Sequence, residues 1–118
     1  MLVDDEAMVL DMTREMLMTL GYDVVSESGG AEALNTFQLQ PNRFDLVITD
    51  QTMPQMTGKR LAQEIMLIRP DLPIILCTGF SASINEEQAL SMGIRAFIRK
   101  PILRNELAAI VRRALDCG

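Results

Sequence analysis

The sequence predicts an α/β fold in which five strands alternate with five helices. Short apolar runs of strand length alternate with segments whose apolar residues recur at helical spacing. The chain has 118 residues, 48% of them hydrophobic, which is enough for one domain with a single buried core. Because alternating strands and helices form βαβ units, we expect residues 1–118 to form one three-layer sandwich around a parallel sheet.

The N-terminal elements are predicted from apolar runs and their stop signals. Leu2-Val3 form strand one, and helix one ends at Gly21. Residues 22–26 form strand two, in which Asp23 favours an edge position. Helix one carries six apolar residues at helical spacing, which are Met8, Val9, Met12, Met16, Leu17 and Leu20.

The central elements are bounded by glycine and proline. A loop at 28–30 precedes helix two, which Pro41-Asn42 breaks. Residues 45–49 form strand three, which is apolar and β-branched as expected of a strand covered on both faces. Helix two carries Ala31, Ala33, Leu34, Phe37 and Leu39.

The C-terminal half repeats the same alternation. Helix three ends before Pro70, and Gly93 closes helix four. The elements are helix three with Leu61, Ile65 and Ile68, strand four at 73–77, a loop at 79–83, helix four at 86–92, strand five at 95–98 and helix five with apolar residues between 103 and 115.

Polar residues close four of the five apolar runs. Asp4-Asp5 follow strand one, Asp50 follows strand three, Thr78 follows strand four, and Lys100-Pro101 follow strand five. In the flavodoxin-like strand order 2-1-3-4-5, strand one lies beside strand three, and open α/β sheets bind ligands at the carboxyl ends of their strands. We therefore expect three carboxylates, a hydroxyl and an ammonium to converge on one pocket.

The chemistry of this set suits a divalent cation and a phosphoryl group. Asp5 and Asp50 would supply carboxylates to Mg²⁺, and the cation would relieve the repulsion among the aspartates. Asp50 is the candidate nucleophile toward phosphorus, while Lys100 and Thr78 would contact phosphoryl oxygens. A cis Lys100-Pro101 bond would turn Lys100 into the pocket. The alternative roles are an acidic helix start, a surface cation and a turn cap.

Composition argues against several kinds of partner and location. The formal net charge of −5 argues against binding nucleic acid through phosphate contacts. The basic residues of the last quarter are interpreted as a solvated face, with a patch for an acidic partner as the alternative. The sequence has no histidine, so any phosphohistidine must come from elsewhere. Without a membrane-length apolar run, a secretory segment or a cysteine pairing pattern, we expect a cytoplasmic protein that makes no membrane contact.

These motifs, in this order, resemble the receiver domain of two-component response regulators over essentially the whole chain. The resemblance implies a bacterial-type phosphorelay module, which is a signalling phosphoacceptor that assists its own phosphorylation and dephosphorylation rather than an enzyme. The matching segments are Leu2-Val3-Asp4-Asp5-Glu6, Asp50-Gln51-Thr52-Met53-Pro54-Gln55-Met56-Thr57-Gly58, Thr78-Gly79 and Lys100-Pro101.

The resemblance also implies a role for each site residue. Asp50 would accept the phosphoryl group from a histidine kinase or histidine phosphotransfer domain. Mg²⁺ or Mn²⁺ would be held by Asp5, Asp50 and the Thr52 backbone carbonyl, with Asp4 acting through a water. Thr78 and Lys100 would be the switch hydroxyl and the phosphate-pairing lysine. Phe97 would be the switch aromatic, with core packing as the alternative.

Three further expectations concern context. Receivers usually begin a few residues earlier, so strand one is expected to be clipped at Met1. The stretches around Thr78 and Lys100 resemble receivers attached to hybrid sensor histidine kinases, and a homodimer through helix four, strand five and helix five is a further candidate. Met8 and Met18 exceed what one buried stripe of helix one requires, so they either dock the phosphodonor or pack within the domain.

Three other functions are weaker alternatives. A non-phosphorylated interaction module on the same fold would use helices four and five, but no pocket group is missing. An aspartate-nucleophile phosphatase usually has a second aspartate where this chain has Thr52. A flavin-binding domain is disfavoured because Asp4-Asp5-Glu6 would repel a cofactor phosphate.

Overall fold

A computed structural model describes residues 1–79 and 86–116, and it has the predicted strand order, β2-β1-β3-β4-β5, with all neighbours parallel. The predicted loop beyond Gly79 and Cys117 lie outside the described residues. The elements are β1 (Leu2–Val3), α1 (Ala7–Thr19), β2 (Ser26–Glu27), α2 (Gly30–Leu39), a short 3-10 helix (Pro41–Arg43), β3 (Val47–Asp50), α3 (Gly58–Ile68), β4 (Ile74–Thr78), α4 (Glu86–Met92), β5 (Ala96–Arg99) and α5 (Arg104–Asp116).

The core has two layers because successive strand residues point to opposite faces of the sheet. In β4, Ile74 and Leu76 pack in the layer that contains α2, α3 and α4. Ile75 and Cys77 pack in the layer that contains α1 and α5. Cys77 is 2% exposed and packs as a small buried hydrophobe. Within the described residues, no helix has the length and apolarity that a membrane span requires.

Strand β2 departs most from the sequence prediction, since only Ser26–Glu27 pair where residues 22–26 were expected. The reason is the length of β1, whose two residues pair with Ser26 and Glu27 and leave the preceding backbone without a neighbouring strand. A cavity of about 280 Å³ lies there, and its lining includes Tyr22, Val24 and Leu46. Strand β2 does lie at the sheet edge, as Asp23 suggested.

Strands β3, β4 and β5 extend further toward their carboxyl ends than predicted. Asp50 and Thr78 are the last residues of their strands rather than the first residues after them. The ladder reaches this far because Asp50 is the register partner of Cys77 and the Gln51 amide donates to the Cys77 carbonyl at 2.9 Å. The end of the strand, not a loose loop, therefore holds the candidate nucleophile.

Helix α1 buries only part of the predicted apolar stripe, which Leu17 confirms and Met12 does not. Thr13 and Leu17 are its buried residues, whereas Met8 is 78% exposed and Met12 is 56% exposed. Met12 was expected in the apolar stripe that faces the core, and that expectation is wrong. Met8 and Met12 are four residues apart, so they form one exposed apolar patch on the helix surface.

Candidate functional site

The site lies at the carboxyl edge of the sheet, where the ends of β1, β3, β4 and β5 meet. Sheet order brings Asp4, Asp50, Thr78 and Lys100 to this edge, although they are far apart in sequence. The Lys100 amide donates to the Thr78 carbonyl at 2.8 Å, which continues the pairing of β5 with β4 up to the site.

Three carboxylates form an acidic cluster at this edge. One oxygen from each of Asp4, Asp5 and Asp50 lies within 4.8 Å of the others. Asp4 and Asp50 are both 4% exposed, whereas Asp5 is exposed to solvent. The Glu6 amide donates to Asp4 Oδ1 at 2.9 Å, which orients the Asp4 carboxylate just before α1. Two of the acids are thus fixed and buried, and the third faces the mouth of the site.

Lys100 is the cation of the site. Its Nζ lies 3.1 Å from Asp4 Oδ2, 3.2 Å from Asp50 Oδ1 and 3.5 Å from Glu6 Oε1. The Lys100-Pro101 peptide bond is cis. Burial opposes the charge on Lys100, but hydrogen bonds and attraction from Asp4 and Asp50 outweigh it, so the Lys100 pKa is raised. The ammonium therefore stays charged at neutral pH and bridges the two buried carboxylates.

Asp50 is the carboxylate with the most perturbed acidity. Burial and the adjacent Asp4 charge raise the pKa of Asp50 from 3.8 to about 6, although Lys100 partly opposes the shift. One ammonium does not neutralise three carboxylates, so a net negative charge remains at the edge. This residual negative charge would attract a further cation.

Thr78 presents an unsatisfied hydroxyl at the end of β4. Its Oγ1 is buried without a hydrogen-bond partner among the described residues. Buried polar atoms are nearly always hydrogen-bonded, and leaving one unpaired costs about 1 to 3 kcal/mol. An incoming group with an acceptor atom would satisfy this hydroxyl.

The resemblance also assigns Thr52 and Phe97 to the site, but neither is among the residues whose side chains form the acidic cluster or contact Lys100. Thr52 is exposed in the loop that follows β3. Phe97 is half-buried on β5, opposite Leu76, and packs against the core layer on the α2, α3 and α4 side. The switch role of Phe97 stays a prediction beside this observed packing.

Two other residues were missed by sequence reasoning. Glu6 contributes a third carboxylate to Lys100, and Gln51 is a buried amide directly after Asp50. The signal for Gln51 was its position, since a polar residue beside a buried strand end must find a partner. Glu6 gave no comparable signal, because exposed glutamates are common at helix starts.

The residues present fit a hard divalent cation. Carboxylate oxygens are the ligands that Mg²⁺ and Mn²⁺ prefer, and the acidic cluster carries more negative charge than Lys100 balances. Asp5 is exposed at the mouth, which leaves room for water ligands on an ion there. The donor set and its charge therefore agree with the cation expected from the sequence.

Comparisons with known proteins agree with this geometry. The family model for the response regulator receiver domain matches residues 1–112. The chain is 36% identical to a putative two-component response regulator, ARR21 of Arabidopsis thaliana, over 98% of this chain but only 19% of that protein. It is 35% identical to the chemotaxis protein CheY of Thermotoga maritima, over 86% of this chain and 83% of that protein.

A solved structure gives the same result. The crystal structure of a response regulator receiver domain protein from Clostridium thermocellum superposes with a TM-score of 0.93 at 30% identity, covering 98% of this chain and 92% of that one. By contrast, the chain spans only about a quarter of the transcriptional regulatory protein GlrR of Escherichia coli, at 26%. From the family match, the relatives and the fold, the chain belongs to the response regulator receiver domain family.

Proposed function

We propose that residues 1–118 act as one phosphoacceptor domain in which Asp50 takes a phosphoryl group from a phosphohistidine of a partner. Mg²⁺ or Mn²⁺ would be held by Asp5, Asp50 and the Thr52 backbone carbonyl, with Asp4 acting through a water. The observation that carries this proposal is the contact of the buried Asp50 with Lys100 at 3.2 Å, inside an acidic cluster that Lys100 alone does not neutralise.

The chemistry assigns one role to each group. An Asp50 carboxylate oxygen forms the new bond to phosphorus as the phosphorus–nitrogen bond of the donor histidine breaks, and the imidazole leaves. Lys100 pairs with a phosphoryl oxygen, for which it gives up its contact with Asp50. The Thr78 hydroxyl, unpartnered here, donates to another such oxygen. A divalent cation held by Asp5 and Asp50 would supply positive charge next to the transferring oxygens.

The output follows from the movement of Thr78. When Thr78 turns toward the phosphoryl group, space beside β4 opens and Phe97 turns inward from its half-buried position. This change alters the surface formed by α4, β5 and α5, which is the surface proposed for homodimer formation. In this scheme the domain is a switch that promotes its own phosphorylation and dephosphorylation, with no external substrate.

The donor would be a histidine kinase or a histidine phosphotransfer domain. The exposed Met8 and Met12 lie on the helix that leaves the acidic cluster, so their patch is placed to contact a donor that approaches Asp50. The stretches around Thr78 and Lys100 resemble receivers attached to hybrid sensor kinases, so attachment to such a kinase is part of the proposal, as is a cytoplasmic location.

One experiment tests the phosphoacceptor proposal directly. The protein is incubated with Mg²⁺ and acetyl phosphate or phosphoramidate, and its intact mass is measured. We expect a base-labile, acid-stable phosphoryl adduct that needs Mg²⁺ and is absent from Asp50→Asn. An adduct that persists in Asp50→Asn, or no adduct in the unaltered protein, would contradict the proposal.

A further inference from the structure

Gln51 follows the end of β3 and makes three hydrogen bonds, one to β4 and two to the start of α3. Its backbone amide donates to the Cys77 carbonyl at 2.9 Å, and its backbone carbonyl accepts from the Gly58 amide at 3.1 Å. Its side-chain Oε1 accepts from the Lys59 amide at 2.8 Å. The residue is only 7% exposed. The backbone carbonyl and the side-chain oxygen of Gln51 therefore each satisfy one of the N–H groups that the first turn of a helix leaves unpaired.

Gly58 shows how tightly the two elements are joined. A Cβ atom at this position would lie 2.3 Å from the Asp50 carbonyl oxygen and 2.7 Å from Leu76 Cδ1. The first turn of α3 thus rests directly on the residue that carries the candidate nucleophile. The loop 52–57 between these points is held at both ends, and its first residue is Thr52.

The hydrogen bond to Lys59 determines which atom of the Gln51 side-chain amide faces α3. The Lys59 amide is a donor, so the oxygen of the Gln51 amide must face it. Without this acceptor the Lys59 N–H would have no partner next to the buried end of β3. The contact between β3 and the first turn of α3 would then weaken at Lys59 first.

We propose that Gln51 is a positioning residue for the cation: by pinning α3 to the end of β3, its side chain sets where the Thr52 carbonyl lies relative to Asp5 and Asp50. This inference rests on the proposed function, because it needs the Thr52 carbonyl to be a ligand. Mg²⁺ requires near-ideal octahedral geometry, so a small displacement of one ligand weakens binding strongly. Residues that orient ligands typically change metal affinity about 10- to 100-fold when altered.

The test is Gln51→Met, which keeps the length of the side chain but removes the acceptor. We expect Mg²⁺ affinity, measured by titration calorimetry, to fall about tenfold. In the metal-free protein, hydrogen exchange of the Lys59 amide should accelerate more than that of amides in the middle of α3. The matched control is Thr57→Ala, because the Thr57 hydroxyl caps the same helix by accepting from the Arg60 amide at 3.2 Å.

The control separates positioning from helix stability. Thr57→Ala should lower the free energy of unfolding and leave Mg²⁺ affinity nearly unchanged. If both variants weaken Mg²⁺ binding equally, or if Gln51→Met leaves it unchanged, the inference is overturned. Should Gln51→Met fail to fold, Gln51→Asn, whose amide is too short to reach Lys59, gives the same comparison. If the unaltered protein binds no Mg²⁺, the proposed function fails and takes this inference with it.

Discussion

Replacing Asp50 by asparagine should stabilise the folded domain when no divalent cation is present. The buried carboxylate at this position lies beside Asp4, and the two share the single ammonium of Lys100. Asparagine has nearly the same shape and no charge, so it removes both the burial cost and the repulsion from Asp4. It also removes the attraction to Lys100, which retains Asp4 as a partner.

The size of the effect follows from the pKa of Asp50. The rise from 3.8 to about 6 corresponds to at most about 3 kcal/mol, since one pKa unit is about 1.4 kcal/mol. The raised pKa already includes the attraction to Lys100. The mouth of the site is open to water at Asp5, which screens the charges, so the net gain should be smaller than this upper bound. We expect Asp50→Asn to raise the free energy of unfolding at neutral pH by about 1 to 2 kcal/mol.

The pH dependence has a definite sign. Because the folded-state pKa of Asp50 is higher than its unfolded value, the folded state binds more protons between pH 3.8 and about 6. As pH rises through that window, Asp50 loses its proton in the folded state and the free energy of unfolding of the unaltered protein falls. The full destabilisation by the charged Asp50 is present above that window. The difference between Asp50→Asn and the unaltered protein should be largest at neutral pH and vanish near the lower limit.

Urea unfolding followed by circular dichroism, in EDTA at several pH values, measures this difference. Asp11→Asn, which changes an exposed carboxylate on α1, is the control and should show neither effect. Saturating Mg²⁺ should stabilise the unaltered protein more than it stabilises Asp50→Asn, so the difference between their free energies of unfolding should become smaller. A destabilised Asp50→Asn at neutral pH, or a pH-independent gap, would refute the balance of charges described for the site.

Three further variants test other features. Lys100→Met leaves Asp4 and Asp50 without their ammonium, so it should lower stability in EDTA by about 1 to 3 kcal/mol, with partial recovery in Mg²⁺; urea unfolding with and without the ion checks this. Gln55 has φ of 70°, so Gln55→Gly should raise the free energy of unfolding by about 0.5 to 1 kcal/mol, while Gln55→Ala should not. Met8→Glu should slow phosphoryl transfer from the cognate phosphohistidine donor about tenfold and leave labelling by acetyl phosphate unchanged, whereas Leu39→Glu, equally exposed on α2, should change neither rate.

Much of the fold could be read from hydrophobic patterning, and the failures have physical causes. The parallel sheet between two layers of helices was predicted because buried parallel strands need apolar residues on both faces. The strand order was that of the flavodoxin-like arrangement, and the structure has it. Strand β2 was predicted too early because its sequence has strand character at 22–25, but a strand forms only where a neighbour pairs with it. Met12 was misplaced because helical periodicity does not say which of two overlapping apolar stripes faces the sheet.

The candidate site was predictable in its members but not in its contacts. Asp4, Asp50, Thr78 and Lys100 were named because open α/β sheets bind ligands at the carboxyl ends of their strands, where these four residues stand. Gln51 was overlooked as a structural join, since its partner is a backbone amide of α3 that no sequence pattern specifies. The sequence also could not show that the Thr78 hydroxyl has no hydrogen-bond partner among the described residues, because that depends on which side chains pack around it.

The sequence alone therefore determined which chemical groups this protein has and which edge of the sheet they share. Only the tertiary structure decided that Lys100 bridges Asp4 and Asp50 and that Asp50 is buried enough to have a raised pKa. It also decided that the Thr78 hydroxyl has no hydrogen-bond partner within residues 1–79 and 86–116. The physical reason is that periodicity along the chain specifies the direction of a side chain. Distances, burial and charge balance arise only when separate strands are packed together.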